Sequence, residues 1–212
     1  MTTTLRIGIT GGIGSGKTYV SNLLRDKGYK VFDCDSRAKK LMTEDPGIIR
    51  RIQEVVGENA YHNISTEADE RKNKYVLNKK FLADFLFKDD KNAQIINRIV
   101  HPKLAEQFVE WADRQEQAVV FMESAILFES GFNELVDYSI LVFADINLRI
   151  QRVVHRDTTS QEAVISRINR QVDSRLLIKK ADFVICNNQT DDVEEQLNSI
   201  IDRINLLNKN RQ

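Results

Sequence analysis

Apolar residues along this chain fall into two patterns: short continuous runs, and runs spaced three and four residues apart. The first pattern predicts buried parallel strands and the second amphipathic helices. Residues 5–10 are a short apolar run, and Val20, Leu23 and Leu24 follow at helical spacing until Gly28, which is placed as a helix C-cap. Residues 30–35 predict a second strand ending in two acids, and residues 118–123, 138–143 and 181–186 predict three more. Between residues 36 and 117 the pattern predicts helices and turns with no strand. Asp45-Pro46-Gly47 opens a helix that Gly57 closes, with Ile48, Ile49, Ile52, Val55 and Val56 as its apolar stripe. Residues 58–76 are polar and unpatterned, which predicts a connecting loop. Phe81, Leu82, Phe85 and Leu86 mark the next helical face. Ile95, Ile96, Ile99 and Val100 mark another that His101-Pro102 breaks, and Leu104, Ala105, Phe108, Trp111 and Ala112 the one after it. Val193, Leu197, Ile200, Ile201 and Ile204 stripe the last helix.

Strands alternating with helices predict an α/β fold, a five-stranded parallel sheet covered by helices on both faces. At 212 residues the chain is expected to be a single domain with a core of about 1–35, 118–147 and 176–212. A helical insert, about 36–117, separates the second and third strands, and a second helical excursion covers about 148–175.

Gly11-Gly12-Ile13-Gly14-Ser15-Gly16-Lys17-Thr18 lies between the first strand and the first helix and fits a Gly, four residues, then Gly-Lys-Thr. Glycines let backbone N–H groups turn around phosphate oxygens, Lys17 adds a point charge, and the Thr18 hydroxyl can hold Mg²⁺. The strand–loop–helix setting favours this P-loop reading over a chance glycine-rich turn, and makes Gly12, Ile13, Gly14, Ser15, Gly16, Lys17 and Thr18 candidate ATP-binding residues.

Two sets of charged residues bear on that loop. Strand alternation puts Asp33 and Asp35 on one face at the carboxyl edge of the sheet, where they suit metal or proton handling; Asp35 could instead cap a helix beginning at Ser36. Glu123 ends the third strand of the core and reads equally as a Walker B-type acid or an ordinary surface acid. Arg149, Arg152 and Arg156 fall on one helical face, and Thr159-Ser160-Gln161-Glu162 resembles a capping box that starts a second helix carrying Arg167 and Arg170, with Arg175 beyond. Charge rows are usually solvated faces, but arginines concentrated here predict a lid over a polyphosphate, with Arg152 and Arg156 as its contacts. Phe81 and Phe85 read as core packing or, on a face of the insert, as the wall of a second-substrate pocket.

Lysine plus arginine balances aspartate plus glutamate at 31 each, so net charge argues neither for nucleic acid nor for an acidic membrane as partner. Cys34 and Cys186, both within predicted strands, are too few for a disulfide framework. No signal-peptide pattern is present and no apolar run approaches the ~20 residues that span a bilayer, so a cytoplasmic enzyme is expected. His62, His101 and His155 are scattered without partners at zinc spacing. An Asn-Lys-x-Asp guanine reader, a Ser-Gly-Gly transporter signature and a basic–aromatic stripe are missing, and small size, a helical insert and an arginine lid point to a small-molecule kinase, expected as a monomer rather than an oligomer.

The chain resembles the dephospho-coenzyme A kinases. The matching pieces are residues 9–17, Val31-Phe32-Asp33-Cys34-Asp35 with Ala38, His101-Pro102, Leu127-Phe128-Glu129, Arg152 with Arg156-Asp157, Arg167 with Gln171, and Ala181-Asp182-Phe183-Val184-Ile185 ending in Asn187-Asn188. The resemblance implies transfer of the ATP γ-phosphoryl group to the ribose 3′-hydroxyl of dephospho-CoA, with Mg²⁺ as cofactor. It places the base on Asp35 and leaves Asp33 to support the metal or orient the acceptor. Asp35, Lys39, His101, Phe81 and Phe85 are then the expected acceptor contacts, and Lys17 joins the two aspartates as a catalytic candidate. The chain departs from the family at Lys39, where Arg is usual and a bidentate grip would be lost, and at Ala125-Ile126-Leu127, where a Pro-Leu-Leu run is usual and which an unusual Glu123-Ser124 precedes.

Overall fold

The structure, a computed structural model, describes residues 4–63 and 75–210. Two compact units divide the chain: Met1–Asp33 with Phe108–Gln212, and Cys34–Gln107.

The larger unit is built on β1 (Leu5–Thr10), β2 (Lys30–Asp33), β5 (Val119–Glu123), β6 (Tyr138–Phe143) and β7 (Phe183–Cys186). These pair in parallel in the order β2-β5-β1-β6-β7, so the expected five-stranded sheet is present. Alternation along each strand divides its side chains between two apolar faces. On one face Leu5, Ile7, Ile9, Phe121, Ile140, Val142 and Ile185 pack against Val20 and Leu24 of α1 (Lys17–Asp26) and against Val193, Leu197, Ile200, Ile201 and Ile204 of α9 (Val193–Lys209). Burial of each such side chain stabilises the fold by about 1.5–3 kcal/mol. On the other face, Gly8 leaves the space that Leu127 and Val136 fill. Phe32 meets Phe108 and Trp111 at ring distances of 5.4 and 5.3 Å; Phe32 and Phe108 are buried in the core and Trp111 is half-buried at its edge.

After β6 come α6 (Ile146–Asp157), α7 (Gln161–Asn169) and α8 (Ser174–Ile178). Ser160 rather than Thr159 caps α7, accepting the Ala163 N–H.

The smaller unit holds α2 (Cys34–Glu44), α3 (Pro46–Val56), β3 (Tyr61–Asn63), β4 (Tyr75–Leu77), α4 (Lys79–Lys88) and most of α5 (Asp90–Asp113). The Asp45 side chain accepts the Ile48 N–H at 3.0 Å, the cap expected for α3.

Three expectations need correction. β2 stops at Asp33, because β5, its one partner among the described residues, ends opposite it at Glu123. The chain turns helical at Cys34, so Cys34 is a buried helix residue, and Asp35 lies inside the first turn of α2, where an acid suits the positive helix end. Asp35 therefore neither shares a strand face with Asp33 nor caps a helix starting at Ser36. Second, β3 and β4 form an antiparallel pair with Tyr61 opposite Leu77, within the stretch expected to lack strands; each is three residues long, too short for alternation to register. The loop expected over 58–76 falls partly on residues 64–74, outside the described residues. Third, Pro102 lies inside α5 and does not break it. It removes only the N–H that would reach the Arg98 carbonyl, and both residues are exposed, so water can take that carbonyl.

The Tyr61 hydroxyl donates to the Met42 carbonyl at 2.7 Å, and burial pushes its pKa up from 10.0 to about 12. The folded state thus holds the phenol proton beyond the pH at which the unfolded chain releases it. This contribution is complete below pH 10.0 and is lost as pH rises toward about 12. Tyr61→Phe is expected to cost about 1 kcal/mol at neutral pH and to flatten the alkaline limb of the stability curve. Denaturant titrations at pH 7, 10 and 11 check this, and parallel curves for the two proteins would contradict it.

Candidate active site

The loop joining β1 to α1 is shaped by what binds its carbonyls. Lys17 Nζ donates to the Gly11 oxygen at 2.8 Å, Ser15 N–H to Gly12 at 3.0 Å, Arg149 Nε to Ile13 at 2.9 Å, Arg152 Nη1 to Gly14 at 3.5 Å, Asn187 Nδ2 to Ser15 at 2.8 Å and Val20 N–H to Gly16 at 3.1 Å. Every carbonyl from Gly11 to Gly16 therefore has a donor, and the peptide planes of the loop are fixed. That is the condition for presenting a concave array of N–H groups to an anion.

Glycine is required where these braces come closest. Gly16 has φ +100°, and a Cβ there would collide with Asn187 Nδ2. Gly14 has φ +78°, and a Cβ would stand 2.5 Å from the Arg149 carbonyl oxygen. Gly16 is also the N-cap of α1 and offers no side chain to its opening amides, whereas Asp45, Asn78, Ser160, Asp173 and Asp192 cap α3, α4, α7, α8 and α9. A helix opened this way keeps its orphan N–H groups and positive dipole end for a ligand. Ser15 Oγ, buried in the loop, has no hydrogen-bond partner among the described residues.

Thr18 Oγ1 donates to Glu123 Oε1 at 3.1 Å, and Glu123 is only 8 % exposed. The surface-acid reading of Glu123 is thereby overturned. Asp33, half-buried, is the register partner of Glu123 across β2 and β5, so two carboxylates and the loop threonine belong to one end of the sheet. Among the described residues, no group of three or more His, Cys, Asp or Glu is placed to hold a metal by itself.

The arginines divide. Arg149, 5 % exposed, spans the loop and the α6–α8 segment: besides Ile13 it reaches Ser174 Oγ through Nη1 at 3.1 Å and Gln171 Oε1 through Nη2 at 3.3 Å. Burial lowers its pKa, opposed by Asp173. Arg152 Nη2 reaches Asn187 Oδ1 at 3.3 Å. Arg156, in contrast, donates twice to Asp157, at 2.7 and 3.2 Å, and Arg167 donates to the same carboxylate at 3.1 Å. The Asp157 carboxyl is held below the usual range chiefly by its hydrogen bond from Arg156. Arg175 forks onto Asp173. A cavity of about 510 Å³ opens at the carboxyl end of β6, with Phe143, Ile146, Arg149, Ile168, Gln171 and Ser174 in its wall.

A family model described as dephospho-CoA kinase matches residues 5–192. The chain belongs to the dephospho-CoA kinase family. It is similar to a dephospho-CoA kinase of Bacteroides fragilis, 39 % identical over 184 residues that make up 86 % of this chain and 84 % of that one. Among solved structures, TT1252 from Thermus thermophilus has a TM-score of 0.76 at 28 % identity and covers 95 % of this chain and 96 % of its own. A dephospho-CoA kinase from Campylobacter jejuni, at TM-score 0.62 and 24 % identity over 98 % of each chain, shares the fold.

The remaining site candidates lie in the smaller unit. Asp35 and Lys39 are exposed, one helical turn apart on α2. Phe81 and Phe85 are half-buried on α4. His101 is half-buried in α5, and burial lowers its pKa. Sequence reasoning counted Arg149 only within a charge row, and Gln171 and Asn187 only as points of family likeness. Their role as braces depends on contacts 136, 158 and 172 residues apart, beyond any local pattern.

Gly16→Ala is expected to cost about 2 kcal/mol, from the left-handed backbone and the displaced Asn187. In a chain of this size that lowers the melting temperature by about 4–8 °C. A change below about 1 °C would show that the loop can be rebuilt without its brace.

Proposed function

We infer that the protein transfers the γ-phosphoryl group of ATP to the ribose 3′-hydroxyl of dephospho-CoA, giving coenzyme A and ADP. The observation that carries this reading is a fully braced phosphate loop in a chain that belongs to this family across residues 5–192. No helix among the described residues is long and apolar enough to cross a membrane.

Phosphoryl transfer asks little covalent work of the protein, since its loose transition state spreads charge over oxygens. Gly12, Ile13, Gly14, Ser15 and Gly16 form the cradle, Lys17 and Thr18 sit at the head of α1, and fixed donors there stabilise developing negative charge without reorganising. Thr18, Asp33 and Glu123 offer a hydroxyl and two carboxylates, hard oxygen donors that suit Mg²⁺, a cation that keeps waters and binds through few protein groups. When bound, Mg²⁺ would neutralise β- and γ-phosphate charge. Asp35 accepts the proton of the attacking hydroxyl. Arg152 and Arg156 contact the polyphosphate, and Arg156 exchanges the exposed Asp157 for phosphate at little cost, because an exposed ion pair contributes only about 0–1 kcal/mol. We assign acceptor binding to residues 36–117, with Lys39, His101, Phe81 and Phe85 as contacts, and closure over ATP to a lid of residues 148–175. The protein acts as a cytoplasmic monomer.

ADP release is expected to depend on dephospho-CoA and to be at background with nucleosides or nucleoside monophosphates; release with those acceptors would overturn the reading. Asp35→Asn is expected to lower kcat by ~10²-fold with ADP affinity little changed, as general-base loss does. Turnover within a few-fold of the unmodified protein would remove Asp35 from that role. Lys17→Ala is expected to abolish most activity and, because it leaves the Gly11 carbonyl without its donor, to lower the melting temperature by a few degrees; turnover within a few-fold of the unmodified protein would remove Lys17 from the catalytic machinery.

A further inference from the structure

Ile13 is the one branched apolar residue in a loop of glycines and serine, and three interactions converge on it. Its side chain packs against Ile150, Val153, Val164 and Ile168, the apolar cluster between α6 and α7. Its carbonyl accepts from Arg149 Nε at 2.9 Å. Its N–H donates to Gln171 Oε1 at 2.9 Å, and the same oxygen accepts from Arg149 Nη2 at 3.3 Å. Gln171 lies between α7 and α8, so one carboxamide oxygen ties the loop, α6 and the end of α7 together. Ser174, at the start of α8, holds the remaining arm of Arg149 at 3.1 Å.

We propose that Gln171 is a positioning residue of the phosphate loop: by clasping the Ile13 N–H and Arg149 at once, it presets the loop for ATP. The proposal rests on the reading of this loop as the ATP site. Its physical basis is preorganisation. A loop already fixed at both backbone groups of Ile13 does not pay ordering entropy when the nucleotide arrives. A loop freed of the clasp does, and the loss falls on binding rather than on the chemical step.

The test is hydrogen exchange at the Ile13 amide in the nucleotide-free full-length chain, together with steady-state kinetics. Gln171→Met keeps the length and loses the acceptor. It is expected to speed Ile13 exchange at least tenfold, raise KM for ATP about tenfold, and leave kcat at saturating ATP within about threefold. Gln171→Glu keeps an acceptor oxygen and is expected to restore Ile13 protection. Gln171→Asn, one methylene short, is expected to behave like the Met variant and supplies the test if the Met variant does not fold. Unchanged Ile13 exchange in the Met or Asn variant overturns the proposal. Equal acceleration at core amides of β1 and β5, which marks general destabilisation, also overturns it, as does a loss confined to kcat. The exchange measurement needs no substrate, so it stands even if dephospho-CoA proves not to be the acceptor.

Discussion

A loop that turns its amides toward an anion must turn its carbonyls somewhere else, and each of those needs a donor. Leaving one buried carbonyl unpaired costs about 1–3 kcal/mol. Gly11, Gly12 and Ser15 are buried and Ile13, Gly14 and Gly16 half-buried, so six unpaired carbonyls in a row would take a large share of the stability of a typical domain, about 5–15 kcal/mol. The loop cannot meet that demand from its own residues. Lys17 and the amides of Ser15 and Val20 satisfy three of the six locally, and Arg149, Arg152 and Asn187 satisfy the rest. Much of the larger unit can be understood as the delivery of those three side chains. β6 ends where α6 must begin to aim Arg149 and Arg152, and β7 ends one residue before Asn187, whose own N–H is held by the Phe143 carbonyl at 2.7 Å.

The same demand explains how a chain of balanced charge concentrates cations at one place. Arginine fits the bracing positions because a planar fork can bind several acceptors at once, as Arg149 does with Ile13, Gln171 and Ser174. Arg149 is too buried and too fully engaged to serve as a mobile phosphate ligand. Arg156, Arg167 and Arg175 have exposed carboxylate partners in Asp157 and Asp173, and those contacts are weak enough to exchange. Burial therefore separates the arginines that build the site from those suited to greet a charged ligand, a distinction that helical spacing alone could not make.

The sheet and the loop were legible because their signals are local. Five apolar runs, one Gly-Lys-Thr and the helical stripes of α1 and α9 each sit within about a dozen residues. The misread positions share a different cause. Whether Asp35 is strand or helix depends on β5 ending at Glu123, a partner 90 residues from Asp33 in sequence, and the β3–β4 pair depends on residues that meet across an intervening polar stretch. Glu123 was undecidable because its partner, Thr18, lies 105 residues away in sequence. Pro102 is the exception, since the sequence did hold the answer. Ile96, Val100, Leu104, Phe108 and Ala112 form an unbroken row four residues apart, all buried, that runs through the proline without a change of phase. A proline that breaks a helix shifts that row; one tolerated on an exposed face leaves it intact.

Ile13 shows why a glycine-rich loop is not simply a flexible one. Glycine at positions 11, 12, 14 and 16 removes the side chains that would obstruct close approach of Val142, Arg149 and Asn187. Freedom of that kind costs conformational entropy on folding, and a loop made only of such residues would be poorly held. A single branched apolar side chain among them supplies an anchor whose burial against Ile150, Val153, Val164 and Ile168 offsets part of that entropy. Its own N–H and carbonyl are then close enough to Gln171 and Arg149 to be pinned as well. Rigidity in the loop thus comes largely from outside it: the segment after β6 supplies Arg149, Arg152 and Gln171, and the end of β7 supplies Asn187.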